Sequence, residues 1–391
     1  MELKNNELII PEWPIFDETE ANYLIDSLTS GFWAGSRAKY IKEVTKNFLE
    51  LQNGKYGTPL ANGTVTMEAA LKALKIGEGD EVIVPALTFY STVSVVLKAG
   101  ATPVIVDVDK DTFQISINDI KKVITHNTKA IIPVHLAGGM CDMDEIISIA
   151  DEYNIKVIED CAHAHGSYWR GQGAGTIGDF GSFSFQHSKL ISSGEGGFLI
   201  AKNNNDLEKA WNYANCGRTS KTSVYGHSSI GTNCRMSDLQ AAVLNAQIQR
   251  YKTIQQKTRE YNAKYLSKKL SEIEGIRVQK YDSRMTKKAF YNFVFIIDPK
   301  VYGNKKCKEV FELCNEYGIP TSLPYPPLNE LAIFNKDLSE ENYSDLSVKL
   351  MDTPNAKYIS ENSIWLHHKL LLADEHTLDI FVDLLIMFLG K

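Results

Sequence analysis

The chain has 391 residues, 43% of them hydrophobic and 23% charged, and carries a formal charge of −6 at pH 7. These proportions describe a globular chain long enough for one large domain and a smaller one, and the negative balance argues against nucleic acid as the main partner. Six cysteines form no CxxC pair and the start lacks a basic segment followed by an apolar run, so reduced thiols and a cytoplasmic location are expected.

Residues 1 to about 55 alternate helix and loop signals, with "GFWAG" (31–35) as a turn. Then a repeating pattern begins. "TVTMEAALKALKI" has helical spacing and stops at Gly77, and "EVIVPAL" is a short continuous apolar strand. "STVSVVLKAG", "SINDIKKVI" and "MDEIISIADEY" read as helices between the strands "TPVIVDV", "AIIPVHL" and "KVIEDC". Continuous apolar strands separated by helices predict a mostly parallel sheet covered on both faces, with ligands at the carboxyl ends of its strands. Beyond Met236, "SDLQAAVLNAQIQRYKTIQQKTREYNAKYLSKKL" reads as one long amphipathic helix and "FYNFVFII" as a strand. The apolar "LDIFVDLLIMFL" is too short to span a bilayer and contains Asp379 and Asp383, so it reads as a packing helix and no membrane partner is expected. The expected division is a large α/β domain over 1–250 and a smaller α+β domain over 251–391.

"GAGTIG" (173–178) matches the dinucleotide pattern G-x-G-x-x-G, which carries meaning only between a strand and a helix. Here it follows polar "YWRGQ" and leads into the strand-like "DFGSFSF", so it is a glycine-rich loop and a nicotinamide enzyme is set aside.

"SFSFQHSKLISSGEGGFLI" (182–200) places Lys189 among Ser and Gly between two segments that read as buried strands. Among cofactors that dock on a parallel sheet and need a lysine, pyridoxal 5'-phosphate (PLP) fits best, because its aldehyde condenses with an amine. Such a site also needs a carboxylate at the ring nitrogen, a group against the ring face and an anion cradle. Asp160 ends a buried strand and supplies the first, the alternative being a capping aspartate at a corner. Glu159 points to the other face of that strand and reads as structural. His163 could meet the ring or its phenolic oxygen, or be a structural histidine. Phe89 follows a strand end and could stack on the ring, or be core. Asn62, Gly63 and Thr64 stand where a loop becomes a helix, whose free N–H groups suit a phosphate. Ser184 and Gln186 could add donors.

"PALTFYSTVSVVLKAGATPVIVDVD", "VIEDCAHAHGS", "GDFGSFSFQHSKLISSGEGG" and "GTNCRMSDLQAA", in this order, resemble the sugar aminotransferases of the DegT/DnrJ/EryC1/StrS family, which are fold-type-I, aspartate-aminotransferase-like PLP enzymes. The likeness runs from about Pro11 to the C-terminus. "FQHSK" and "SIWLHHKLLL" lean toward the branch that aminates keto-cyclitols such as scyllo-inosose. The resemblance implies that Lys189 forms the Schiff base, Asp160 pairs with the ring nitrogen and His163 lies near the ring oxygen. It puts Phe89 at the stacking position and Gly63, Thr64 and Ser184 at the phosphate. It further implies a homodimer with sites at the subunit interface, Asn233 reaching the neighbour's phosphate, and Arg235 contacting the amino donor's carboxylate. Glutamate or glutamine is the expected donor. The acceptor is left open among a keto-cyclitol, a nucleotide-linked keto-sugar and a small keto-phosphate, and its recognition is expected in loops near Trp33, Tyr325 and His367. Pro324 and Asn329 stand where many sugar-enzyme relatives show His, which weighs against a nucleotide-sugar.

Related enzymes carry His in place of the lysine and dehydrate sugars. The register here puts Lys189 five residues after Ser184, as in the aminotransferases, with His187 two positions early. A PLP-dependent dehydratase and a non-catalytic PLP- or sugar-binding regulator remain the rival readings.

Overall fold

In the computed structural model, which describes residues 8–35, 37–219, 226–334 and 347–390, the repeating segments form one eight-stranded sheet. Its strands, in chain order, are β1 (Tyr56–Leu60), β2 (Glu81–Pro85), β3 (Thr102–Val106), β4 (Thr128–Ile131), β5 (Lys156–Asp160), β6 (Phe180–Ser184), β7 (Gly197–Ala201) and β8 (Lys349–Leu350). Across the sheet they run β1-β7-β6-β5-β4-β2-β3-β8. All neighbours from β6 to β8 pair in parallel, while β7 is antiparallel to both β6 and β1.

Alternation along each strand divides the core into two layers. Ile83, Val157, Phe198 and Ile200 pack on one face with Val44 and Phe48 of the helix Lys39–Gln52 and with Ile146 and Ile149 of Met143–Tyr153. Val82, Val84, Ile158 and Leu199 pack on the other with Met67 and Leu71 of Gly63–Ala73 and with Val93 and Val96 of Ser91–Lys98. Strands buried on both sides cannot alternate with polar residues, which is why they read as continuous apolar runs.

β1 was not foreseen. Pro59 and Gly57 obscure it, yet it lies at the sheet edge, where a missing N–H is tolerated. Gly57 is needed there because a Cβ would lie 2.4 Å from the Phe198 ring. The long predicted helix is present as Asp238–Arg250 and Gln256–Ser271, joined through a π-helical turn at Tyr251–Gln255. A four-stranded antiparallel sheet (Ile276–Val278, Asn292–Ile297, Ser363–His367, Thr321–Ser322) packs against Gln256–Ser271, Lys306–Glu316 and the apolar C-terminal helix Glu375–Leu389. No helix among the described residues is long and apolar enough to cross a membrane.

The glycine run 173–178 folds around a carboxylate rather than a nucleotide. The amides of Gly175, Ile177 and Gly178 donate to Glu159 at 2.9, 2.8 and 2.7 Å, and His135 Nε2 meets the same fully buried carboxylate at 2.9 Å. Cys141 N donates to His135 Nδ1 at 3.2 Å, so the proton directed at Glu159 sits on Nε2. The loop lies so close to β6 that a Cβ on Gly181 would stand 2.2 Å from Gly175 Cα. Gly181→Ala should therefore cost about 2 kcal/mol or more, read as a lower urea midpoint with unchanged slope. A wild-type midpoint would show that loop and strand separate freely.

Candidate active site

The carboxyl ends of β2, β5 and β6 open into a cavity of about 630 Å³. Its wall includes Gly63, Thr64, Phe89, Asp160, His163, Ser184, Gln186, Lys189 and Tyr325, nine residues singled out from sequence, scattered over more than 260 positions and brought to one place.

The helix Gly63–Ala73 supplies the anion cradle. Its N-cap, Asn62, accepts from Val65 N at 3.0 Å, which leaves the first two amides, Gly63 and Thr64, with no protein acceptor among the described residues. Gly63 is held against β6, where a Cβ would be 2.9 Å from Ser184 Cβ. The close approach keeps the helix start and the Ser184 hydroxyl on the same wall.

Asp160 ends β5 and is buried. It accepts from Thr92 Oγ1 at 3.0 Å and from Ala162 N at 3.2 Å, well short of what a carboxylate can take. Burial pushes its pKa above the usual carboxylate value, against the pull of the Ala162 and Thr92 hydrogen bonds and the Lys189 charge. Such a carboxylate suits a cationic N–H donor placed in the cavity.

Lys189 closes a tight turn after β6. Its amide donates to Gln186 O at 2.8 Å, and the Gln186 side-chain oxygen accepts from Ser188 N and Oγ at 2.9 and 2.8 Å. Gln186 thus shapes the turn with its oxygen and retains its NH2 for a ligand. The Lys189 ammonium lies 4.6 Å from the centre of the Tyr291 ring. The other side of this small constellation is His163, whose ring stacks on Tyr291 at 3.9 Å and 20°. Ala137 N donates to His163 Nδ1 at 3.3 Å, so a neutral His163 carries its proton on Nε2. Phe89 is 56% exposed at the mouth, 5.9 Å from Tyr325, an exposed aromatic at the position foreseen for ring stacking.

Four foreseen residues do not line the cavity. Asn233 forms an isolated bridge with Asn215, and the Arg235 guanidinium donates to Asn215 Oδ1 at 2.9 Å. Exposed Trp33 donates to Leu28 O, and His367 Nδ1 accepts from Lys369 N. Conversely, Thr88, Ser188, Glu195 and Tyr291 line the cavity and were not foreseen, nor was Thr92, the hydrogen-bond partner of Asp160. Thr92 follows Phe89 within the helix after β2 and could have been tested as a partner for Asp160. Tyr291 gave no signal, because only the tertiary fold returns its strand to Lys189.

Burial holds four imidazoles neutral: His163 and His368 far below the ordinary histidine value, His165 near 3 and His367 near 4, each helped by neighbouring positive charge. In the unfolded chain each takes a proton near pH 6.5, so lowering the pH from there favours unfolding, by up to about 1.4 kcal/mol per pH unit and per ring. The urea midpoint should fall as the pH is lowered from about 6.5 toward 5. A midpoint unchanged over that interval would contradict the buried neutral rings.

Comparison with known proteins follows the same outline. The DegT/DnrJ/EryC1/StrS aminotransferase family profile matches residues 14–384. A Streptomyces kanamyceticus protein inferred to be an L-glutamine:3-amino-2,3-dideoxy-scyllo-inosose aminotransferase is 35% identical over 346 residues, 85% of this chain and 82% of that one. The crystal structure of 3-amino-5-hydroxybenzoic acid synthase superposes with a TM-score of 0.90 at 30% identity, covering 98% of this chain and 99% of its own. An inferred sugar aminotransferase, Spr1654 of Streptococcus pneumoniae, in its PLP form gives 0.85 at 25% identity, with 98% and 99% covered. The chain belongs to the DegT/DnrJ/EryC1/StrS aminotransferase family, with the fold of the PLP-dependent transferases of fold type I.

Proposed function

We propose that this protein is a PLP-dependent aminotransferase that moves an amino group from glutamate or glutamine to a keto-cyclitol, with Lys189 as the reacting amine. The observation that carries the reading is the convergence of Lys189, an under-satisfied buried Asp160 and the uncommitted amides of Gly63 and Thr64 on one cavity. These groups fit the cofactor: an amine for its aldehyde, an anion for its ring nitrogen and a helix start for its phosphate. When bound, PLP supplies an aldehyde that takes up an amino group and a ring that draws electrons from the attached carbon.

The chain's own groups then have defined tasks. Gly63 and Thr64 N–H and the Ser184 hydroxyl hold the phosphate, with Gln186 Nε2 able to join them. Asp160 keeps a proton on the ring nitrogen. Its burial makes that pairing favourable, because an unpartnered carboxylate there is costly. His163 donates Nε2–H to the phenolic oxygen, and Phe89 covers the ring face. Lys189 Nζ, once displaced by the donor's amine, carries the proton away from the donor Cα and later returns one to the product carbon. Two substrates that occupy one site in turn give ping-pong kinetics.

The Ser, Thr, Gln, His and Tyr side chains that line the cavity suit an uncharged polyhydroxy ketone as the acceptor. The names of the relatives support the same class, and glutamine as donor. We further propose a homodimer. Asn233 and Arg235 stand outside their own chain's cavity, in keeping with service to the partner's site for Asn233 and, after assembly, contact with the donor carboxylate for Arg235. Trp33 and His367 would act on the acceptor only in that assembled site, whereas Tyr325 already lines it.

Incubation of PLP-loaded protein with glutamate or glutamine should release the 2-oxo acid without an acceptor, in one equivalent per site. Lys189→Ala should abolish this and any borohydride-trapped attachment of PLP, and Asp160→Asn should slow release by orders of magnitude. Water loss from a keto-sugar with no 2-oxo acid would assign the dehydratase reading, and binding without turnover the regulator reading. For the dimer, mixing inactive Lys189→Ala with phosphate-impaired Asn233→Ala should regain activity through hybrid sites. No regain in a verified hybrid would remove Asn233 from the partner's site.

A further inference from the structure

The two carbonyls just before Lys189 are each held from far away in the chain. Trp13 Nε1 donates to His187 O at 3.0 Å, and His368 Nε2 lies 3.0 Å from Ser188 O. His368 follows the strand Ser363–His367 and is fully buried. Its other nitrogen faces Arg259 Nη2 at 3.1 Å. A guanidinium only donates, so His368 Nδ1 is the acceptor, and the single proton of the neutral ring sits on Nε2, aimed at Ser188 O. Protonating Nδ1 would remove the acceptor and set two cations against each other.

Arg259 is itself fully buried, and no carboxylate pairs with it among the described residues. Its support is neutral: Gln255 Oε1 at 3.2 Å, His368, and the rings of Trp13 and Tyr251 with centres 5.2 and 5.9 Å from its guanidinium carbon. Trp13 also meets His368 edge-on at 4.4 Å. Trp13, Arg259 and His368 thus form one unit whose side-chain hydrogen bonds into the large domain, among the described residues, go to the two carbonyls that precede the lysine. The Ser188 hydroxyl adds a third tie, to Tyr291 OH at 3.0 Å.

We propose that Trp13, Arg259 and His368 are positioning residues that fix the backbone of the lysine turn, so that the Lys189 amine is presented to an incoming aldehyde only when the N-terminal segment and the C-terminal sheet are docked on it. The proposal rests on the reading of Lys189 as the reacting amine. The lysine must leave and regain its partner in each cycle while its side chain swings. Pinning both preceding carbonyls confines that movement to the side chain, and a free peptide unit would add alternative positions for the amine.

The test separates covalent capture from simple binding. Wild type, Trp13→Phe, His368→Gln and His368→Leu are freed of cofactor. Attachment of PLP to Lys189 is followed by borohydride trapping and peptide mapping, and non-covalent affinity is measured with pyridoxamine 5'-phosphate, which has no aldehyde. His368→Leu should slow trapping at Lys189 by about tenfold or more, the scale of a lost buried hydrogen bond. Trp13→Phe should slow it by about two- to tenfold. His368→Gln, which keeps an N–H donor, should recover most of the rate, and pyridoxamine 5'-phosphate affinity should stay within about threefold of wild type throughout. Trapping at the wild-type rate in both Trp13→Phe and His368→Leu overturns the proposal. So does an equal loss of pyridoxamine 5'-phosphate affinity, which would mark general damage. Trapping that persists in Lys189→Ala instead overturns the reading of the lysine itself, whatever the positioning variants do.

Discussion

The site depends on how the fold treats two consecutive buried carboxylates at the end of β5. Glu159 and Asp160 must point to opposite sides of the sheet. Glu159 is saturated from within, by three loop amides and His135. Among the described residues, Asp160 receives only Thr92 and Ala162. The first carboxylate fixes the end of the strand and the loop behind it, and the second is left with capacity to spare. Burial makes that spare capacity energetically expensive, and a ligand bearing a proton on the correct atom relieves the cost.

The same contrast explains what the sequence allowed one to read. β2 and β3 were visible because a strand covered on both faces has no polar positions, and Lys189 stood out because its neighbours are the smallest residues of the alphabet. Glycine was the ambiguous sign. The run 173–178 has the spacing of a nucleotide loop, yet its amides converge on a side chain of the same protein, and nothing local distinguishes an internal anion from an external one. β8, two residues long, lies below any local signal, and β1 is masked by Gly57 and Pro59, residues tolerated there by its edge position and by the Phe198 ring across from it. Tyr291, Arg259 and His368 were illegible for another reason: each becomes meaningful only when the C-terminal sheet closes on the large one, a relation carried by no local pattern.

The cavity is therefore a composite. The end of β5 and the segment after β6 contribute the groups that carry charge, Asp160, Lys189 and Glu195, while the C-terminal region contributes aromatic surface through Tyr291 and Tyr325 and His368 of the clamp behind the lysine. The chemistry and its alignment thus sit on different parts of the chain, and the large sheet with all its charged groups in place would still lack the backing that steadies the lysine turn. Asn233 and Arg235, held outside the cavity by local hydrogen bonds, suggest a third contributor in the form of a second subunit.

The π-helical turn at Tyr251–Gln255 sets the angular phase of everything that follows it. An α-helix advances 100° per residue, and the wider turn absorbs one additional residue without moving the axis far. Upstream, Ala241, Leu244 and Ile248 face the large sheet's core. Downstream, Arg259, Asn262 and Leu266 are buried, with Arg259 beneath Trp13 and His368. At 100° per residue, the 18 positions from Ala241 to Arg259 make five whole turns, so a regular helix would stack the two buried faces in line. This short irregularity acts as a vernier that sets the second face off from the first, so that one continuous helix packs on the large sheet's core with one segment and on the C-terminal sheet's core with the next.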